Sequence, residues 1–215
     1  MGRIVVMNSV TLDGVMQGPA RRGEDARDGF THSGWAARST QSPEEVTKAM
    51  SERMAAGGGL TGWIFGRWTY EDLLAVWNAR GGPFKDALNN ASKYVASTTL
   101  AEPLRWPNST LLQGDIVEAV RALKAQTEGV LAIMGSGVLI RTLMAANLID
   151  EYLLMIHPLV LGSGRRLFPD GGEVSLRLAQ GRITAAGVVI ASYEPAAEPE
   201  ASLAGRPSDV GAVTR

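Results

Sequence analysis

A first candidate site lies between Phe65 and Glu71, where an apolar run ends in a glycine and a helical pattern begins. Gly66 is followed directly by Arg67 and Trp68, and then by Thr69. Unpaired backbone N–H groups at a helix start attract anions, a glycine lets a ligand approach, and a guanidinium adds a forked set of charged donors. The segment therefore predicts a phosphate-binding turn, although such junctions also form for reasons of turn geometry alone.

A second segment of the same kind spans Ile133 to Leu139. It places Gly135, Ser136 and Gly137 between an apolar run and a new helical pattern. Two such helix starts in one small sheet can grip both ends of a pyrophosphate, which is how a dinucleotide is held. Neither segment matches the G-x-G-x-x-G fingerprint of Rossmann domains or the phosphate loop of nucleoside triphosphatases. The pair indicates a dinucleotide site of a different design.

A third candidate consists of the hydroxyl residues Ser97 and Thr98, which follow the apolar run that begins at Tyr94. A Rossmann enzyme that selects NAD carries an acidic residue at the corresponding strand end, where it binds the ribose 2′-hydroxyl. Hydroxyl groups together with Arg67 can instead accept a 2′-phosphate, which favours NADPH. The alternative is that these hydroxyls only form a turn.

The elements that position these residues are short apolar runs that alternate with segments of helical period. This pattern is typical of α/β proteins with a mainly parallel central sheet and helices on both faces. Four helices are predicted, starting at Pro43 and near Arg67, Asp115 and Val138. The predicted strands are Arg3–Val10, Gly62–Phe65, Tyr94–Ser97, Thr110–Gln113, Val130–Met134, Glu151–Ile156 and Gly187–Tyr193.

The first predicted helix has a capping box, with Ser42 as the cap and Glu45 closing the box, and it ends at Ala56 before three glycines. The preceding stretch, Gln17–Gln41, shows no clean period and is predicted to be a long loop. Past residue 194 the composition turns to Pro, Ala, Glu and Gly. We therefore expect a folded domain over residues 1–194 and a disordered tail over residues 195–215.

Bulk composition excludes several classes of protein. The 215 residues carry a formal net charge of −1, so no general attraction to nucleic acid or anionic membranes is expected. The absence of cysteine excludes disulfides and thiolate chemistry, and two histidines exclude a multi-histidine metal site. Without a leader or an apolar stretch of spanning length, the chain is predicted to be a cytoplasmic protein that binds a small molecule.

The order of the motifs resembles the dihydrofolate reductase family, and most closely its riboflavin-biosynthesis reductase branch, the RibD C-terminal-like proteins. The resemblance covers roughly residues 3–193. It rests on the segments 11–14 (Thr-Leu-Asp-Gly), 66–71 (Gly-Arg-Trp-Thr-Tyr-Glu), 97–98 (Ser-Thr), 135–137 (Gly-Ser-Gly) and 158–168 (Pro-Leu-Val-Leu-Gly-Ser-Gly-Arg-Arg-Leu-Phe).

This resemblance implies a three-layer fold, an NADPH cofactor and a homodimer. The turn Gly66–Thr69 would hold the pyrophosphate and 2′-phosphate, and Ser97 and Thr98 the adenosine. The second turn, with Gly135, Ser136, Gly137, Val138 and Leu139, would hold the pyrophosphate and nicotinamide side. Ser9 and Val10, with the loop to Gly14, would border the nicotinamide.

Hydride transfer needs no protein nucleophile, but reduction of a C=N or C=O bond usually needs a proton donor. Asp13 is the favoured candidate, ahead of Asp28 and Glu71, and its alternative role is that of an Asp-Gly turn residue. Trp35 is a candidate to stack on a flat substrate, or else pins its loop to the core. Arg165 is a candidate to bind a substrate phosphate.

Three functions remain open from the sequence. The first is an NADPH-dependent reductase acting on a small heterocyclic or carbonyl-bearing metabolite, riboflavin-pathway or pterin-like. The second is a non-catalytic nucleotide- or flavin-binding module of the same fold. The third is a true dihydrofolate reductase, against which stands the segment Gly34–Arg38, because it lacks the acid that binds the pterin in that enzyme.

Overall fold

The computed structural model describes residues 1–39, 43–168 and 170–196. Eight strands form one sheet in the order β4-β3-β2-β5-β1-β6-β8-β7. They span Arg3–Thr11 (β1), Leu60–Gly66 (β2), Ser92–Ala96 (β3), Ser109–Leu112 (β4), Val130–Met134 (β5), Glu151–His157 (β6), Leu176–Ile183 (β7) and Val189–Pro195 (β8). The first six strands pair in parallel, and β8 and β7 add an antiparallel edge. The predicted α/β class with a mainly parallel sheet is confirmed.

Helices cover both faces of this sheet. They span Trp35–Ser39 (α1), Pro43–Ala56 (α2), Arg67–Arg80 (α3), Pro83–Asn90 (α4), Ile116–Gln126 (α5) and Gly137–Ala145 (α6). One core cluster joins the sheet to α2, α3 and α4 through Ala49, Leu74 and Leu88. The other joins it to α5 and α6 through Val120 and Ile140. The result is the three-layer arrangement that the resemblance implied.

Strand β1 shows why the sheet is covered on both sides. Val5 and Met7 pack into one core cluster, and Ile4 and Val6 pack into the other. Successive side chains of a strand point to opposite faces, so a continuous apolar run buries both faces of a central strand. β1 lies between β5 and β6, in the interior of the sheet.

The structure corrects several sequence-based boundaries. Strand β7 was not predicted, because its edge position leaves most of its side chains exposed and a register shift after Leu178 breaks its alternation. Helix α4 was also missed, since it has only eight residues. The predicted loop Gln17–Gln41 contains α1 and a 3-10 turn at Arg27–Gly29. Pro195, assigned to the tail, belongs to β8 and pairs with Leu176.

Two predictions fall on residues outside the described ranges. The capping role of Ser42 is one, and the tail beyond residue 196 is the other. Within the described ranges, every helix is too short or too polar to cross a lipid bilayer.

Candidate functional site

A cleft of about 750 Å³ opens where β1, β2, β3 and β5 end and where α3 and α6 begin. Ligands of open α/β sheets bind outside the carboxyl ends of the strands, so this is the expected position for a site. One end of the cleft is formed by the helix starts and by hydroxyl residues. That end is lined by Gly66, Arg67, Trp68, Thr69, Ser97, Thr98, Gly135, Ser136, Gly137, Val138 and Leu139, among others.

The two glycine turns meet at this end. The backbone N–H of Gly66 donates to Oγ of Ser136 across 2.7 Å, and that hydroxyl donates to Oγ1 of Thr69 across 3.0 Å. A Cβ on Gly66 would lie 2.7 Å from Ser136 Oγ, and one on Gly135 would lie 2.8 Å from Thr69 Oγ1. Both glycines are therefore needed for the close approach of the two helix starts.

Ser136 adopts a left-handed backbone conformation, with φ 59° and ψ 59°. This conformation is unfavourable for a residue with a Cβ, and it persists where the surroundings fix it. The hydrogen bonds with Gly66 and Thr69 provide such a constraint. They hold the Ser136 hydroxyl between the starts of α3 and α6.

Asn8 supports the same turn and was missed by the sequence reasoning. Its Oδ1 accepts a hydrogen bond of 2.9 Å from the backbone N–H of Gly135. Asn8 is buried in β1 and lines the cleft. The available signal was a polar residue inside the apolar run Ile4–Val10, at a position where the strand would otherwise carry another apolar side chain.

Only some backbone N–H groups of the two turns are left to bind an anion. The amides of Gly66 and Gly135 are already used within the protein, by Ser136 and Asn8. The first N–H groups of each helix have no intrahelical partner, and neither helix has a side-chain cap. Anion binding is therefore left to the first-turn N–H groups of α3 and α6.

Arg67 is free to reach a ligand at this end. Its side chain is about half exposed, at 48%, and its ion pair with Glu71 is loose, at 3.9 Å. Beside it, Trp68 is 45% exposed and carries the guanidinium of Arg27 over its ring at 4.5 Å. The helix start thus offers a cation and an aromatic face to the cleft.

The hydroxyl residues after β3 take different roles. The Ser97 hydroxyl accepts hydrogen bonds from the backbone N–H groups of Thr99 and Leu100, at 3.1 and 3.0 Å, and so closes a turn. The turn-forming alternative is therefore present at Ser97. Thr98 is exposed and lines the cleft, and its side chain remains accessible to a ligand.

Two residues assigned to the cofactor lie partly or wholly away from the cleft surface. Val10 is buried in the core and does not line the cleft, whereas Ser9, its neighbour on the opposite face of β1, does. Leu139 is 6% exposed and packs into the core, while Val138 is 67% exposed beside it.

Asp13 lies outside the cleft and binds the loop that follows β6. Its carboxylate accepts hydrogen bonds from the Thr11 hydroxyl at 2.5 Å, from Leu161 N–H at 3.2 Å and from Gly162 N–H at 2.8 Å. Burial alone would raise the pKa of Asp13, but these hydrogen bonds outweigh it and lower the pKa. A carboxylate held deprotonated between two loops is a turn residue, which was the alternative role.

Trp35 does not provide a stacking surface. It is buried, its Nε1 donates to the Gln17 carbonyl at 2.7 Å, and its ring meets His157 edge-on at 5.2 Å. It therefore pins its loop to the core, as the alternative hypothesis held.

Arg165 does line the cleft, but its guanidinium pairs with Asp28 at 2.8 Å. Neither Asp28 nor Glu71 lines the cleft.

Another part of the cleft lining was not foreseen from the sequence, because much of it comes from the irregular segment after β1. It includes the acidic residues Glu24, Asp25 and Asp72 and the basic residue Arg27, and Arg21 pairs with Asp72. Its apolar surface is provided by Met7, Val46, Met50, Leu73, Met134 and Met155. Residue Ala36 of α1 also lines this region, which carries no acid on α1.

The geometry suits an elongated ligand. An anionic linker fits the helix starts, and a flat, partly apolar ring fits the methionine-rich walls, because such pockets combine apolar walls with a few placed polar groups. Hydroxyl residues, Arg67 and carboxylates all line the cleft. The cleft can therefore hold a dinucleotide and a second small molecule.

The chain was compared with known proteins. Residues 3–191 match the family model described as the RibD C-terminal domain. A curated relative, the uncharacterized protein YyaP of Bacillus subtilis, is 34% identical over 108 residues. That match covers 49% of this chain and 56% of YyaP, so it spans about half of the relative's length.

Three solved structures share the fold. A putative riboflavin biosynthesis protein from Shewanella sp. PV-4 has a TM-score of 0.61, with 19% identity over 91% of this chain and 99% of that one. A pyrimidine reductase-like protein from Corynebacterium diphtheriae has a TM-score of 0.60, with 11% identity over 92% and 93%.

The third is dihydrofolate reductase from Enterococcus faecalis, complexed with NADP(H) and RAB-propyl, with a TM-score of 0.54 and 16% identity over 90% and 94%. These structures confirm the dihydrofolate reductase-like fold. Since the family model matches nearly the whole of the described chain, this protein belongs to the RibD C-terminal domain family.

Proposed function

We propose that this protein is an NADPH-dependent reductase that transfers a hydride to a small heterocyclic or carbonyl-bearing metabolite of the riboflavin-pathway or pterin-like kind. The observation that carries the proposal is the meeting of the α3 and α6 starts through Gly66, Ser136 and Thr69. Two positively polarised helix starts on one cleft edge suit a pyrophosphate. The reductase fold of the family supports the same activity.

Different residues of this chain would bind the phosphates, the nicotinamide and the substrate. The first-turn N–H groups of α3 and α6 bind the pyrophosphate, and Arg67 with Thr98 binds the 2′-phosphate. When bound, the reduced nicotinamide supplies the hydride. Ser9 and Gly137, which line the cleft, would border the ring. The remaining chamber, walled by Met7 and Met155, orients the substrate and excludes water.

Tryptophan fluorescence tests the cofactor. The chain has five tryptophans, and Trp68 lies in the cleft. We expect NADPH to quench the emission at lower concentration than NADH does. Equal affinities for the two cofactors would contradict the assignment of the 2′-phosphate, and no binding of either would overturn the proposal.

NADPH oxidation at constant pH separates an enzyme from a binding module. The acceptors to test are dihydrofolate, a ribosylaminopyrimidine phosphate and a cyclic imine. We expect the pyrimidine or the imine to be reduced, and dihydrofolate to react poorly, because Ala36 lines the cleft in the segment where a dihydrofolate reductase would carry its acid. A homodimer in the cytoplasm belongs to the same proposal, and sedimentation velocity tests the dimer.

A further inference from the structure

Three carboxylates that line the cleft have different partners. Asp25 receives two hydrogen bonds from the Arg27 side chain, at 2.8 and 2.5 Å, and Asp72 receives two from Arg21, at 2.9 and 2.5 Å. Each of these carboxylates is matched by a guanidinium in a two-point contact. Two-point contacts of this kind are strong, charge-assisted hydrogen bonds. They occupy both carboxylates within the protein.

Glu24 is held differently. Its Oε2 accepts hydrogen bonds from the backbone N–H groups of Ala20 and Arg21, at 2.5 and 3.1 Å. Its Oε1 lies 4.0 Å from Nη1 of Arg21, beyond hydrogen-bond distance, because that guanidinium is bound to Asp72. One carboxyl oxygen is thus fixed by the loop, and the other is left for a ligand.

We propose that Glu24 is the proton donor of the reduction, and that its Oε1 delivers the proton to the nitrogen or oxygen of the substrate's double bond. The assignment rests on the proposed reductase function. It follows from the position of Glu24 in the cleft, where 20% of its side chain stays exposed. It also follows from the commitment of Asp25 and Asp72 to arginines.

The electrostatic surroundings agree with this role. Burial raises the pKa of Glu24, and the nearby charge of Asp72 on α3 acts in the same direction. The hydrogen bonds from Ala20 and Arg21 and the Arg21 charge oppose the rise without cancelling it. Asp25, also buried, has a lowered pKa because the hydrogen bonds from Arg27 outweigh its burial. A general acid works best when its pKa lies near the working pH, so the raised value favours Glu24.

The proposed step is the reduction of one double bond by a hydride and a proton. The hydride adds to the carbon of the C=N or C=O bond, and the π-electron pair moves to the nitrogen or oxygen. That atom takes the proton of the Glu24 carboxyl group, which becomes a carboxylate and is protonated again from water. The reduced nicotinamide is oxidised to its cationic form. Arg21, held by Asp72, acts as a positioning residue because it fixes the loop that carries Glu24.

Infrared titration of the whole protein tests the proposal without a substrate. The difference between wild type and Glu24→Gln isolates the Glu24 carboxyl band, and the titration is done alone, with NADPH and with NADP⁺. We expect a raised pKa with NADPH bound. With NADP⁺ the pKa should fall by about one to three units, the size of shift that an opposite charge within ~4–6 Å produces. Glu118→Gln is the control, because the Glu118 side chain is 71% exposed on α5, and it should leave the isolated band unchanged.

The outcomes separate the two proposals. If NADP⁺ and NADPH bind but give the same Glu24 pKa, the carboxyl is remote from the reacting ring, and the proton-donor assignment is overturned while the reductase stands. If neither cofactor binds, the reductase proposal fails. The cofactor-free titration still decides whether the pKa of Glu24 is raised. An ordinary or lowered pKa would overturn the assignment in either case.

Turnover gives the second readout. For the acceptor that NADPH oxidation identifies among the three tested, Glu24→Gln should lose about 100-fold or more in kcat, the usual contribution of general acid catalysis. Its NADPH affinity by fluorescence should stay within about twofold of wild type. A variant with wild-type kcat and an unchanged pH profile would contradict the role.

Discussion

The backbone N–H of Gly66 donates to the Ser136 hydroxyl across 2.7 Å and so joins the starts of two helices whose residues are 70 positions apart in the sequence. The same hydroxyl donates to Thr69. Because both turns share one side chain, the position of each helix start depends on the other. The distance between their free N–H groups is thereby fixed before a ligand arrives, which reduces the cost of ordering the site on binding.

The contact between Gly66 and Ser136 predicts a coupled pair of substitutions. Gly66→Ala should weaken NADPH binding and lower stability, because the new Cβ would lie 2.7 Å from Ser136 Oγ. Ser136→Gly removes that clash and the left-handed strain together. The double variant should therefore lose less than the sum of the single variants, with a coupling energy of about 0.5–3 kcal/mol in urea unfolding. Strict additivity would contradict the shared contact.

Arg67 is predicted to distinguish the phosphorylated cofactor. Arg67→Ala should reduce NADPH affinity by an amount equivalent to roughly 1.5–3 kcal/mol, the value of a hydrogen bond to a charged group, and leave NADH affinity nearly unchanged. Fluorescence titration with both cofactors measures the difference. Arg121→Ala is the matched control, since Arg121 lies on α5 with 54% of its side chain exposed and does not line the cleft. Equal losses for both cofactors would assign Arg67 to the pyrophosphate instead.

The sequence predicted the parts of this protein that depend on short-range patterns. Val130–Met134 was predicted with its observed bounds, because an apolar strand followed by a glycine turn is unambiguous. The two glycine turns were also found in this way. The partners that complete them were not, because the contact of Asn8 with Gly135 joins residues 127 positions apart and depends on strand order.

The acidic part of the cleft escaped prediction for a related reason. Glu24 and Arg21 lie in an irregular segment, and Asp72 reaches Arg21 from a helix 51 positions later in the sequence. Periodicity carries no information about such contacts. Asp13 was favoured instead because it follows a strand, yet its hydrogen bonds to Leu161 and Gly162 are made by a loop that the sequence reasoning treated separately.

The buried ion pair of Arg53 and Glu151 is predicted to dominate the attachment of α2 to the sheet. Arg53 donates two hydrogen bonds to Glu151, at 2.6 and 2.7 Å, and the Glu151 side chain is 3% exposed. Arg53→Leu leaves a buried carboxylate with fewer partners and should reduce the free energy of unfolding by about 3–5 kcal/mol.

Urea unfolding measures this loss, and the exposed pair of Arg182 and Glu52 provides the comparison. Their atoms lie 3.3 Å apart with side chains 40% and 55% exposed, and this pair also joins α2 to the sheet. Arg182→Leu should cost about 1 kcal/mol or less, because solvent screens exposed pairs. Similar losses for both variants would show that burial does not set the difference.

The buried side chain of His157 is predicted to make the stability of the fold sensitive to acid. Burial lowers its pKa to about 4 from an ordinary value of 6.5, and its ring meets Trp35 edge-on. As the pH falls from 6.5 toward 4, the unfolded chain takes up a proton on this histidine before the folded protein does. The free energy of unfolding therefore decreases over that window, by up to about 3 kcal/mol from this group, and the contribution is fully present only above the unfolded pKa.

His157→Phe keeps a ring against Trp35 and removes the titrating group. We expect its stability to fall less than that of wild type between pH 6.5 and 4, as measured by urea unfolding at several pH values. His32→Phe, at an exposed position, should follow the wild-type profile. Parallel curves for wild type and His157→Phe would mean that the acid sensitivity comes from the carboxylates, whose salt bridges are lost as they are protonated, and not from the buried imidazole.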